Sequence, residues 1–392
     1  MATSLQTPVP SAGTATTGRA LAPDLARGGM LLAIAFAHAP LFVTNVDRGP
    51  AWLNDFITSF HMLFVNNHAR PMFAFLFGYA LVQLMNRQLA KGNDWVPTRK
   101  LLRRRGFWLI AIGFVHLAIL VPIDILAAYG LSAVLLVGFL RAKDSTLLWV
   151  AGVALVPATF SVGWITWFAL NEGASTYAKG SVAAGSAGFV ELFVSRVMVF
   201  PPSLIAGVIL VIPGVLLGMW AARRRVLDEP ERHRSFLVRA TIVTGAVSLA
   251  GSLPLVLVDL GIWSPTGIAL WVVAFVQPLT GYFGGMALAG AIALVAIAAA
   301  RRQGRLTTAI QALGQRSMSL YLFQSVVYVA VFFPYGLGLQ DDLGMAGATG
   351  VALATWVASI LLAELMRKAN YRGPAEILLR RLAYRDRRTV AK

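Results

Sequence analysis

The chain has 392 residues, 57% of them hydrophobic and 13% charged, with a mean hydropathy of +0.70. A soluble domain carries roughly twice that charged fraction, so a soluble globular protein is excluded. The absence of cysteine excludes disulfides and thiolate metal sites. The formal net charge of +17 raises a nucleic-acid reading that the placement of the basic residues then removes.

Residues 1–18 are rich in Ser, Thr, Ala, Gly and Pro and are expected to form a disordered cytoplasmic tail. A transmembrane helical domain is expected over 19–368, and 369–392 reads as a basic cytoplasmic C-terminal tail. The first apolar segment, DLARGGMLLAIAFAH at 24–38, sets ten apolar or glycine residues between Arg27 and His38. Eleven helical steps of ~100° bring these two positions within ~20° of one another. Asp24 lies on the same stripe, so an acid, a base and an imidazole line one face over roughly 21 Å. Charges and imidazoles inside a span cost about 2.5–3.5 kcal/mol and therefore turn toward protein or water. The plain alternative is that Asp24 and Arg27 mark the cytoplasmic end of the helix and His38 bonds another helix. The Ala37-His38-Ala39 triplet resembles a signal cleavage site, but the apolar run continues through Val43 and Asp24 suits no signal n-region.

The chain reads as all-α, with about ten spans: 24–44, 68–90, 102–121, 123–141, 145–169, 201–222, 235–260, 266–300, 316–335 and 345–367. The eighth is long enough for two pieces, with a kink at Gln277-Pro278 and a close-packing face at Gly281-x-x-x-Gly285. This threading puts thirty of the thirty-four Lys and Arg residues on one side and leaves Arg48, Arg70, Lys179 and Arg196 on the other. The positive-inside rule places both termini in the cytoplasm, and the net charge needs no nucleic acid. The expected location is the cell membrane, inner or plasma, with the lipid bilayer as partner. Residues 45–67, with Trp52, Phe56, Phe60, His61 and Phe64, suit an interfacial or re-entrant piece. Residues 170–200 read as a loop followed by an amphipathic helix bearing Phe189, Leu192 and Phe193.

Few polar residues remain for chemistry. His38, His68, Arg70, His116 and Asp124 all fall at similar depth toward the outer side. Asp124 also suits a cap on the fourth span, and His116 an interhelical hydrogen bond. A histidine beside a carboxylate is the usual general-base arrangement, because the acid orients the ring and stabilises the imidazolium. The ninth span adds a polar stripe of Ser317, Tyr321, Gln324, Ser325 and Tyr328, suited to lining a pocket or to fastening helices. Arg99, Lys100 and Arg103 to Arg105 cluster before the third span, where they could take the phosphates of a coenzyme A donor or simply report topology. The five histidines show no ligand spacing, and no metal is expected. No internal repeat is evident, which disfavours transporters built on inverted repeats.

Two resemblances enter at these residues. The segment LGQRSMSLYLFQSVVY…YGLGL…RGPAEILLRRLAY within 313–384, with LFGY at 76–79, GFVHL at 113–117 and DIL at 124–126, resembles the YeiB-like membrane protein family, a domain of unknown function. Arg27-x10-His38 resembles the opening motif of the acyltransferase-3 family and related transmembrane acyltransferases. That resemblance implies acyl transfer from cytoplasmic acyl-CoA to a sugar, lipid or small-molecule acceptor. His38 would be the catalytic base and Arg27 a donor-side or structural residue, and Asp24, on the same stripe, is counted with them as a catalytic candidate. His68, Arg70, His116, Asp124, Tyr321 and Gln324 would bind the acceptor, and Arg99, Lys100 and Arg103 the donor. A transporter of a small solute and a non-enzymatic structural protein are the competing expectations.

Overall fold

The computed structural model describes residues 20–173, 182, 188–302 and 304–384. The expected tail at 1–18, Lys179 and residues 385–392 lie outside them. Among the described residues the regular structure is entirely helical. The chain runs through α1 (Leu21–His38), α2 (Ala51–Phe64), α3 (Ala69–Leu89), α4 (Trp95–Ile119), α5 (Leu126–Leu136) and α6 (Asp144–Asn171). It continues through α7 (Phe189–Arg223), α8 (Arg234–Asp259), α9 (Ile268–Arg301), α10 (Arg305–Gln315), α11 (Ser317–Phe332), α12 (Met345–Lys368) and α13 (Pro374–Ala383).

Each of the ten expected stretches falls on a helix. Six of the helices are long and apolar enough to cross a membrane: α1 with its 3-10 extension to Phe42, α6, α7, α8, α9 and α12. The continuation of α5 to Arg141 and α11 are apolar but shorter. Large side chains such as Trp149, Val156, Ile165, Ile242 and Val295 stand exposed on the outer faces, as lipid contact requires of a helical membrane protein.

Three expectations change. The eighth stretch is one continuous 34-residue helix through Pro278, because spanning helices tolerate proline where neighbours satisfy the freed backbone. The amphipathic helix expected near Phe189 is the first part of the 35-residue α7, since no glycine or asparagine stop follows Phe193. The C-terminal tail is partly helix: α13 buries Ala375, Leu379 and Ala383 at four-residue spacing and packs against α4 and α11.

Small residues set the helix spacing. On α3, a Cβ at Gly78 would fall on the backbone carbonyl of Val215 in α7, so the LFGY segment needs glycine for close approach. Gly281 and Gly285 of α9 lie against the start of α3, where a Cβ would meet Asn67 O at 2.6 Å and His68 O at 2.9 Å respectively. The expected close-packing face is therefore in use. Helix α2 turns Trp52, Phe56, Phe60 and Phe64 outward and buries Asn54, His61 and Met62, the pattern of a helix lying in an interface.

The Gly373-Pro374-Ala375-Glu376 segment explains how α11 begins. Gly373 has φ +96°, a conformation that favours glycine. The turn it makes brings the Glu376 carboxylate to the free N–H groups of Met318 (2.9 Å) and Ser319 (3.1 Å) and to the Ser319 hydroxyl. A carboxylate there satisfies orphan donors and complements the helix dipole.

Candidate functional site

Helix α11 crosses α1, and its polar stripe makes the contacts. Gln324 donates from Nε2 to Leu31 O at 3.1 Å, and Tyr328 donates to Ala35 O at 3.1 Å. Tyr321 donates to Ile123 O at 3.2 Å. Ser325 meets His116 Nε2 at 2.8 Å. The stripe thus fastens helices at Gln324 and Tyr328, while Tyr321 also lines a cavity.

That cavity holds about 1640 Å³, beyond the ~300–1,000 Å³ of ordinary small-molecule sites. It follows α3 from Phe73 to Gln88, a distance of roughly 22 Å at helical rise, and continues to Lys91 beyond the helix. One end is lined by Arg87, Lys91, Arg105, Arg316, Arg372, Arg380 and Arg381, with Glu376 as the acidic residue among them. Leu76, Phe77, Leu81, Leu84 and Leu109 form an apolar middle. Tyr129 and Tyr321 stand at the far end, beside Ile125 and Leu126. The Tyr129 ring is stacked between Phe73 and Phe77, at centroid distances of 5.5 and 4.7 Å. Its hydroxyl is buried with no partner among the described residues.

Beyond Tyr321 lies the polar group that the sequence singled out. The Tyr321 ring is 5.2 Å from the His116 ring and 6.4 Å from the His38 ring. His116 Nδ1 is 2.8 Å from Asp124 Oδ1, with both side chains 1% exposed. The other carboxylate oxygen, Asp124 Oδ2, accepts the Ala127 N–H at 2.6 Å. Asp124 therefore caps α5 with one oxygen and orients a histidine with the other. His38 makes no hydrogen bond among the described residues and lies near enough to His116, Arg70 and Asp124 to interact with them electrostatically. Arg70 donates to Asn67 Oδ1 at 2.8 Å, and its charge reaches Tyr129 as well.

Several singled-out residues lie elsewhere. Asp24 is fully buried, accepts from Arg27 Nη1 at 3.0 Å and from Gln315 Nε2 at 3.2 Å, and so ties α1 to α10. Arg27 lines the cavity at its basic end, whereas His38 lies past the opposite end. His68 bonds Ser248 Oγ at 2.6 Å through Nε2 and the Asn66 carbonyl through Nδ1. It fastens α8 and does not join the Asp124 group. Arg99, Lys100 and Arg103 are exposed and do not line the cavity. On α4 it is Arg105, one helical face round, that reaches the cavity. His61 on α2 is buried, which pushes its ring down to about 4 and keeps it neutral.

The helical fold with its apolar outer faces and half-polar inner cavity is that of a polytopic membrane protein. Residues 221–386 match the model of a family described as "Protein of unknown function (DUF418)", the family to which the YeiB-like resemblance pointed. The chain is also 26% identical over 354 residues to the uncharacterized protein YxaH of Bacillus subtilis (strain 168), covering 84% of this chain and 82% of that relative. The family match takes in α8 to α13 and leaves out Arg27-x10-His38, His116 and Asp124.

Proposed function

We propose that this protein is a transmembrane acyltransferase. In this reading it takes an acyl group from a cytoplasmic acyl-CoA and passes it to a sugar, lipid or small-molecule acceptor at the membrane. It sits in the cell membrane with ten spans and both ends in the cytoplasm, an orientation that gathers thirty of thirty-four basic residues on the inner side.

The observation that carries the reading is the single cavity that joins a cationic end to the neighbourhood of an oriented histidine. Clustered guanidinium groups bind phosphate oxygens with charge-assisted, often bidentate hydrogen bonds, which suits the nucleotide end of coenzyme A. The apolar middle suits a thin alkyl arm. The thioester then lies near Tyr129 and Tyr321, where the unpartnered Tyr129 hydroxyl is a donor for its carbonyl oxygen. The base favoured by geometry is His116, because Asp124 fixes its tautomer and offsets the imidazolium charge. His38, with its ring nitrogens unengaged, holds the acceptor.

The test uses purified protein and palmitoyl-CoA. Because the chain lacks cysteine, a thiol reagent reads released coenzyme A alone. Saturable binding is expected, weakened at least tenfold by Arg105→Glu or Arg380→Glu, with slow thiol release. Absence of binding, or binding indifferent to both charge reversals, would overturn the donor assignment. Uptake of a solute into vesicles without thiol release would instead favour a carrier.

A further inference from the structure

We infer that Ser325 is a nucleophile and that transfer proceeds through an acyl-Ser325 intermediate. The inference rests on the acyltransferase reading for its donor, but its geometry stands independently of coenzyme A.

Asp124, His116 and Ser325 form a continuous relay drawn from the start of α5, α4 and α11, with both links at 2.8 Å. An ionised Asp124 only accepts hydrogen bonds, so a neutral His116 carries its proton on Nδ1 and presents a lone pair at Nε2. Ser325 must then donate its O–H to Nε2. That is the polarity in which a histidine removes a serine proton, with the acid holding the ring.

Comparison with six other helical hydroxyls sharpens the point. Ser161, Thr166, Thr244, Thr280, Thr355 and Ser359 each donate to the carbonyl four residues earlier in their own helix, the ordinary way a hydroxyl is satisfied inside a helix. Ser325 bonds His116 instead, as Ser248 bonds His68, but of these two rings only that of His116 is held by a carboxylate. It lies one turn beyond Tyr321, which lines the cavity, so a thioester resting on Tyr321 is about 6 Å from it along α11.

The chemistry balances within these groups. Ser325 Oγ bonds the acyl carbon as its proton passes to His116 Nε2, and the C–S bond breaks. The leaving thiolate takes that proton from the imidazolium. In the second half the acceptor O–H attacks the acyl carbon and gives its proton to Nε2. The C–Oγ bond breaks, and Ser325 recovers a proton from His116.

The experiment labels wild-type protein with a fluorophosphonate and, separately, with palmitoyl-CoA in the absence of acceptor, followed by acid quench and peptide mass analysis. An adduct on Ser325 from either probe is expected, with a burst of about one equivalent of thiol from palmitoyl-CoA. Ser325→Ala should lose adduct and burst, and Ser325→Cys should give an adduct released by neutral hydroxylamine. Fluorophosphonate labelling at Ser325 without any palmitoyl-CoA reaction would keep the nucleophile and overturn the donor reading. Thiol release with no adduct from either probe would overturn the nucleophile and keep the donor reading. Labelling by neither probe, with no thiol release, would overturn both.

Discussion

The hydroxyl of Tyr79 donates to Asp228 Oδ2 at 3.0 Å and accepts the backbone N–H groups of Leu227 and Asp228 at 3.1 and 3.0 Å. One phenol thus ties the middle of α3 to the turn after α7, and Gln83 adds a second bond to Asp228 Oδ1 at 2.7 Å. Removing the hydroxyl leaves donors and a carboxylate without that partner. Tyr79→Phe should therefore lower stability by about 1–3 kcal/mol, read as a fall in the unfolding midpoint in detergent. An unchanged midpoint would mean that water replaces the phenol without loss.

The contact of α9 with the start of α3 gives a second expectation. A Cβ at Gly285 would lie 2.9 Å from both His68 O and Met72 N, inside backbone that cannot move aside cheaply. Gly285→Leu should destabilise the protein by about 1–3 kcal/mol or more. Gly152→Leu on α6, where a Cβ meets nothing within 4 Å, serves as the control and should be neutral. Equal behaviour of the two variants would remove the packing role.

The two inner histidines should separate on stability. His38 has no hydrogen bond among the described residues, so His38→Ala should change unfolding free energy by less than about 1 kcal/mol. His116→Ala strands a buried carboxylate and should cost about 3–5 kcal/mol. On activity, His116 loss should lower acyl turnover by about 10²–10⁴-fold, whereas His38 loss should act mainly on acceptor KM. A stable His116→Ala protein with full turnover would sink the assignment of the base.

Much of this was legible in the sequence. The positions of the long apolar helices, the interfacial character of 45–67 and the Gly281/Gly285 face follow from periodicity and residue size, though His61, grouped there with the aromatics, turns inward. The nearness of His38, Arg70, His116 and Asp124 followed from counting depth along spans. Depth does not give rotation about a helix axis, and there the reading failed for His68, which turns to Ser248. The cavity's cations were hidden for another reason. Arg87, Lys91, Arg372 and Arg380 look like any inner-side basic residues, and only the docking of α13 under α4 and α11 makes them one end of a cavity. Tyr129, in a run of small apolar residues, carries no sequence signal of its unpartnered hydroxyl.

Orientation can be tested directly because the protein has no native cysteine. Asp341 accepts from Thr44 Oγ1 at 2.8 Å, and Glu229 pairs with Arg225 at 2.8 Å on the basic side. A cysteine at position 341 should react with an impermeant reagent from outside the cell. One at position 229 should react only after permeabilisation. Outside labelling at 229 would reverse the orientation.

The cap on α11 has a consequence for biosynthesis. The carboxylate that satisfies Met318 and Ser319 comes from Glu376, 58 and 57 residues later, and the arginines of α13 complete one end of the cavity. Until α13 is made, α11 has no cap and the cavity lacks the arginines of that end. A nascent chain that stalls or is cut before α13 can therefore insert its spans and still lack a closed compartment. Closure of that end of the cavity therefore waits for α13, whatever the helices before it have done.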